Sequence, residues 1–143
     1  MCIRDSPIPT PVMGALAEIT GDPGIKLLAK DRSAHPDRFL AAATELLGER
    51  ATITHSSSYG LLEIAAAGVT KATGLAELAA QHDVRREDIL AVGDMPNDIP
   101  MLEWAGHSFA VANGHASARA AAAVTVGRND DDAVAELIER VLA

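Results

Sequence analysis

From residue 89 onward the chain repeats one alternation, a short apolar run followed by a stretch with helical spacing, and few folds accommodate it. Ile89 to Gly93, Phe109-Ala110-Val111 and Val124-Thr125-Val126 are bounded by turn residues and read as strands. Asn97 to Trp104 and Ala116 to Ala122 lie between them as short helices. Asp131 to Leu142 closes the series, with Val134, Leu137, Ile138 and Val141 spaced for one buried face. Another helix opens at Thr70 and ends near Val84, with Leu75, Leu78, Ala79 and His82 on one side. Strands and helices alternating at this interval predict an α/β fold with a parallel sheet and helices packed against it. Asp130, Asp131 and Asp132 precede the last helix, where carboxylates complement the dipole.

The upstream half has a different rhythm. Ile25 to Lys30 reads as a strand, and His35-Pro36 opens a helix with Phe39, Leu40, Ala43, Leu46 and Leu47 on one stripe. Ala51 to His55 and Leu61 to Ala66 form two more strands around Ser56-Ser57-Ser58-Tyr59-Gly60, and this β-α-β-β block stops at Gly68. Before it, Met1 to Ser6 shows no period, and Pro7, Pro9 and Pro11 forbid regular hydrogen bonding. Residues 1–20 are therefore expected to be an irregular tail, read as a truncation scar, with a short helix from Met13 to Ile19.

Composition narrows the function. Hydrophobic residues make up 48% of the 143, enough for a packed core. A formal charge of −8 without a Lys/Arg cluster argues against a nucleic-acid partner. A single cysteine, Cys2, excludes an internal disulfide and points to a reducing compartment. No apolar run approaches the ~20 residues of a membrane helix, and no leader resembles a signal peptide. The expectation is a soluble cytoplasmic protein, its oligomeric state left open.

The chemistry concentrates at Gly93-Asp94-Met95-Pro96-Asn97-Asp98. A buried strand ending this way delivers two carboxylates and an amide to the C-terminal edge of a sheet, where open α/β folds bind ligands. Hard oxygen donors of this kind suit Mg²⁺. Lys71, after Gly68-Val69-Thr70, offers the cation a phosphate site needs. Each residue alone has a duller role. Asp94 can cap a helix, and Lys71 can be a solvated lysine, although the first turn of a helix is a poor place for a cation. The serine run is either a polar turn or a substrate contact. His35, His55, His82, His107 and His115 show no paired ligand spacing, so no zinc site is expected. Asn113-Gly114 reads as a turn packed near the site.

Taken jointly, Gly93 to Leu102, Ala105-Gly106 and Ala110 to Gly114, preceded by Gly68-Val69-Thr70-Lys71, resemble the C-terminal core of haloacid dehalogenase-like phosphatases. The Cof-type hydrolases, which carry a large α/β cap, are the most similar subgroup. The resemblance implies a Rossmann-like parallel sheet over residues 68–143 and part of an α/β cap over 21–67. It also implies Mg²⁺ and a small phosphorylated metabolite, such as a sugar phosphate, as substrate. Asp94 and Asp98 would then serve the metal, with Asn97 orienting phosphate or metal-bound water. Asp98 could instead lock Lys71, which would stabilise transition-state charge. Ser57, Ser58 and Tyr59 would close over the leaving group.

One part of the family pattern is missing. The nucleophile of these enzymes lies in an Asp-x-Asp-Gly-Thr motif after a first strand, and no such motif occurs here. Asp130-x-Asp132 has the letters but enters a helix. The expectation is a fragment inactive by itself. A non-catalytic α/β binding module and a phosphomutase-type relative remain as alternatives.

Overall fold

The computed structural model describes residues 24–57 and 59–143. The expected tail, the helix from Met13 to Ile19, and Ser58 lie outside them. The first unit comprises β1 (Leu27–Lys30), α1 (Pro36–Leu47), β2 (Ala51–Thr54) and β3 (Leu61–Ala66). Its sheet has the order β1-β3-β2 and is antiparallel, with Lys30 opposite Leu61 and Thr54 opposite Glu63. Pro36 starts α1, where its missing N–H costs nothing. The helix packs on β2 and β3, and Leu62 of β3 is completely buried.

The α1 stripe is covered less than its spacing predicts. Phe39, Leu40, Ala43 and Leu47 are half-buried, and Leu46 is exposed. A single helix against three short strands shelters only the middle of its apolar face.

At Gly68 the chain leaves β3 with φ at 78°, a left-handed conformation that suits glycine. It then enters α2 (Lys71–Gln81), followed by β4 (Leu90–Gly93), α3 (Ile99–Trp104), β5 (His107–Val111), α4 (Ala116–Ala121), β6 (Val124–Val126) and α5 (Ala133–Leu142). Strands β4, β5 and β6 lie side by side and parallel, as the alternation predicts. Gly93 stands opposite Ala110, and Val111 opposite Val126. The core is built on small side chains: Ala91, Ala105 and Ala118 surround Leu102, and Ile89, Met101 and Ala122 pack against them. Alanine at these positions lets short helices sit close to the sheet.

Two helical faces are less buried than expected. On α2, Ala79 is buried and Leu75 half-buried, whereas Leu78 is exposed, as is His82 just past the helix end. On α5, Leu137 is buried and Val134 half-buried, but Ile138 and Val141 face outward. Ten residues of α5 extend about 15 Å, while the three of β6 span about 10 Å. The helix outruns the edge strand beside it. Asp132 caps α5 at φ 58°, a region Asp tolerates, and Arg128 holds Asp130 through two bonds of 3.0 Å. Among the described residues, no helix is long and apolar enough to cross a membrane.

Candidate active site

The parallel sheet positions the first functional group directly. Strand β4 ends at Gly93, so Asp94 emerges at its C-terminal edge, and the chain turns back through a single 3-10 turn, Pro96–Asp98. That turn folds Asp98 over the strand end. A Cβ on Gly93 would lie 2.6 Å from the Cβ of Asp98, so the turn closes only over glycine. Oδ2 of Asp98 accepts hydrogen bonds from the N–H of Asp94 (2.9 Å) and of Met95 (3.1 Å).

Lys71 arrives from the other side at the first position of α2. Thr70 fixes that helix start: its Oγ1 accepts from Thr73 N–H (3.1 Å), while its own N–H donates to Thr73 Oγ1 (2.9 Å). The Lys71 ammonium donates to Oδ1 of Asp98. Asp98 is buried and Lys71 half-exposed, so the cation keeps one side toward solvent.

The electrostatics separate the two carboxylates. Burial pushes the Asp98 carboxyl up, but the Lys71 ammonium and the N–H groups of Asp94 and Met95 outweigh it and hold the group below its ordinary range. Asp94 goes the other way. Burial, then the negative charge of Asp98, raises its pKa, with Lys71 acting in opposition. Beside them, Oδ1 of Asn97 is buried with no hydrogen-bond partner. A crowded carboxylate and an orphaned amide oxygen are both hard oxygen donors, the kind a divalent cation such as Mg²⁺ prefers.

The structure thus brings together Lys71, Asp94, Asn97 and Asp98. Lys71 and Asn97 also line a cleft of about 320 Å³ whose opposite wall is the antiparallel sheet, presenting Lys26, Thr52, Thr54 and Glu63. Lys26 and Ser56 both donate to the Glu63 carboxylate; they overcome its burial and bring its pKa down. Ser57 and Tyr59 lie elsewhere. The Ser57 hydroxyl donates to the Tyr59 carbonyl (2.8 Å), and the Tyr59 ring stacks 5.2 Å from the Lys30 ammonium, so neither side chain lines the cleft. Asn113-Gly114 forms the expected turn, with Gly114 N–H donating to Val111 O (2.9 Å). Asn113 is tied to Asn129 by a reciprocal pair of 2.6 and 3.1 Å.

Two histidines come together although their sequence spacing pairs none of them. The Nε2 atoms of His55 and His115 both approach Oδ1 of Asp37, at 3.0 and 3.6 Å. Spacing could not reveal this, because one imidazole follows β2, the other caps α4, and the carboxylate sits on α1. The cleft wall formed by Lys26 and Glu63 was likewise missed, although both alternate with apolar neighbours.

Comparison with known proteins follows the same lines. The profile of one family, haloacid dehalogenase-like hydrolase, matches residues 9–138. The chain is 32% identical over 107 residues to the 5-amino-6-(5-phospho-D-ribitylamino)uracil phosphatase YwtE of Bacillus subtilis, covering 75% of this chain and 37% of that protein. It is 38% identical over 76 residues to a phosphoglycolate phosphatase of Methanothrix thermoacetophila, covering 53% of this chain and 34% of the relative. A crystallographic structure of a putative HAD/COF-like hydrolase from Plasmodium vivax superposes with a TM-score of 0.74 at 30% identity, over 82% of this chain and 42% of that one. The chain spans about a third of the length of the curated relatives it matches.

Proposed function

Since the chain belongs to the haloacid dehalogenase-like hydrolase family, we propose that Lys71, Asp94, Asn97 and Asp98 form one side of the active site of a Mg²⁺-dependent phosphatase. The substrate is a small phosphorylated metabolite such as a sugar phosphate. The observation that carries this reading is the Lys71–Asp98 pair, built on the same carboxylate that clamps the backbone of Asp94. The activities of the similar proteins, phosphatases of a phosphorylated ribityl compound and of phosphoglycolate, support it.

Asp94 and the orphaned Asn97 oxygen are the groups that fit Mg²⁺. When bound there, the ion would neutralise phosphate charge and hold the phosphoryl group in line. Asp98 acts chiefly by positioning, since one of its oxygens is engaged by Lys71 and the other by two backbone donors. Lys71 directs its remaining donors toward the charge that develops on the transferring phosphoryl oxygens. The threonines and Glu63 across the cleft face the hydroxyl-bearing part of the substrate. The attacking carboxylate is supplied by an Asp-x-Asp-Gly-Thr segment that this sequence does not contain. The chain by itself accordingly binds the metal weakly and turns nothing over.

Mn²⁺, read by electron paramagnetic resonance, serves as the probe for the metal. The chain should bind one ion weakly, and Asp94→Asn should abolish that binding. Undiminished binding in the variant would remove Asp94 from the site. Joined to a segment bearing Asp-x-Asp-Gly-Thr, the chain should release phosphate from a sugar phosphate only when Mg²⁺ is present. Equal release with Lys71→Met would sink the role given to the cation.

A further inference from the structure

We propose that Asp37, His55 and His115 form a second metal site, selective for a transition-metal ion of the zinc or cobalt class, that ties the antiparallel unit to the parallel-sheet unit. One ligand atom from each residue lies within 4.8 Å of the others. Ligands around a zinc ion with bonds of about 2.0–2.2 Å lie roughly 3.4 Å apart, so closure needs shifts of about an ångström. Two imidazoles and one carboxylate favour borderline metals over Mg²⁺, whose preferred donors are all oxygen.

Hydrogen bonding around His55 prepares that ring for this task. Nδ1 of His55 faces the carbonyl oxygen of Ser57 at 3.2 Å. A carbonyl only accepts, so Nδ1 carries a proton, and the 3.0 Å space between Nε2 and Asp37 Oδ1 holds either a second ring proton or a metal ion. An unprotonated Nε2 facing a carboxylate oxygen at this distance would repel it unless a cation lies between them. Nδ1 of His115 accepts from the Ser117 N–H at 3.3 Å and meets the Ser117 hydroxyl at 2.7 Å, so in the neutral ring Nε2 carries the proton, 3.6 Å from the same carboxylate. A ring N–H donated on the side away from the metal is the usual support for a ligating histidine; His55 has it, and His115 gains it when its proton moves to Nδ1 and is donated to the Ser117 hydroxyl.

Burial provides a walled site with an opening. His55 is 1% exposed, whereas His115 and Asp37 are 30% and 49% exposed, which leaves a solvent-facing position for entry and a fourth ligand. The site also connects to the chemistry. The backbone N–H of His115 donates to the carbonyl of Asp94 at 2.6 Å, so an ion held here fixes α1 and the β2–β3 loop against the segment that carries Asp94. A proton on His55 Nε2 is the competing occupant.

The test is a Co²⁺ titration of the full chain in excess Mg²⁺, followed by the visible ligand-field bands of four-coordinate cobalt. One equivalent should bind, and Zn²⁺ should displace it. His115→Ala and Asp37→Asn, both at partly exposed positions, should each weaken cobalt by about 100-fold or more. Ser117→Ala should weaken it by about tenfold. Asp94→Asn should leave the bands in place, which separates this site from the one proposed for Mg²⁺ and from any reading of activity. Absence of the bands in a folded chain means that a proton is the occupant and overturns the proposal. Bands that survive His115→Ala and Asp37→Asn, or that vanish with Asp94→Asn, overturn it as well.

Discussion

Asp98 divides its carboxylate between two elements, accepting from the Lys71 ammonium with Oδ1 and from the N–H groups of Asp94 and Met95 with Oδ2. The start of α2 and the turn after β4 are thereby held to one buried group. A charge in that position is tolerable only while its partners stay in place.

Removing the cation should therefore expose that dependence. Lys71→Met leaves Asp98 buried with its backbone donors alone. The loss expected is about 2 kcal/mol, the scale of a hydrogen bond to a charged group. Urea denaturation should show a lower midpoint with an unchanged slope. An unchanged midpoint would mean that the ion pair adds nothing to the fold.

The two aspartates predict opposite pH dependence. Asp98 titrates below its ordinary 3.8 in the fold, so its contribution is complete above that value and is lost as pH falls through the folded pKa. Asp94 titrates above 3.8, so the folded chain holds this proton more tightly than the unfolded one. Its effect is a loss of stability as pH rises from 3.8 through the folded pKa. Without divalent ions, Asp94→Asn should have a higher Tm than the parent at pH 7, and the gap should close below pH 3.8. A variant less stable than the parent at pH 7 would contradict the raised pKa.

Gly93→Ala tests the closed turn. The new methyl would sit 2.6 Å from the Cβ of Asp98, a contact that backbone movement must relieve. Overpacking of this kind costs about 2 kcal/mol. Amide exchange at Asp94 and Met95 should accelerate, because the turn that protects them has opened. Normal protection in the variant would show that the turn yields elsewhere.

Thr70→Ala should cost about 1 kcal/mol through loss of the helix cap. Thr70→Ser should restore most of it, since the capping oxygen returns. The functional effect is indirect: the first turn of α2 frays and Lys71 leaves Asp98. Mn²⁺ affinity, unlike stability, should change little with either variant. A large loss of affinity would place Thr70 closer to the metal than the fold does.

Much of the candidate site was legible because its residues stand at element ends. Gly93-Asp94 follows an apolar run, Lys71 follows a helix cap, and local rules locate both. Which face each helix buries was also legible, but not how much. Apolar spacing reports a direction, while coverage depends on what lies opposite, and Ile138 and Leu46 have too little there. The Asp37–His55–His115 cluster left no trace in the sequence, because its members come from a helix, a post-strand loop and a distant cap. Nothing local links them. The cleft wall of Lys26 and Glu63 was hidden for a related reason, since charged residues on one face of a short strand read simply as its solvent side.

The left-handed Gly68 has a mechanical consequence. It lies between a hairpin that carries one wall of the cleft and a cap, Thr70, that begins the helix bearing the cation. Its N–H is held by the Thr52 hydroxyl at 2.9 Å and the next N–H by the Ala66 carbonyl at 3.1 Å, both on the hairpin side. Rotation about this pivot would swing the hairpin as a lever while Lys71 stays moored to Asp98. The width of the cleft is thus set on the hairpin side of Gly68 and the placement of its charge on the Lys71–Asp98 side.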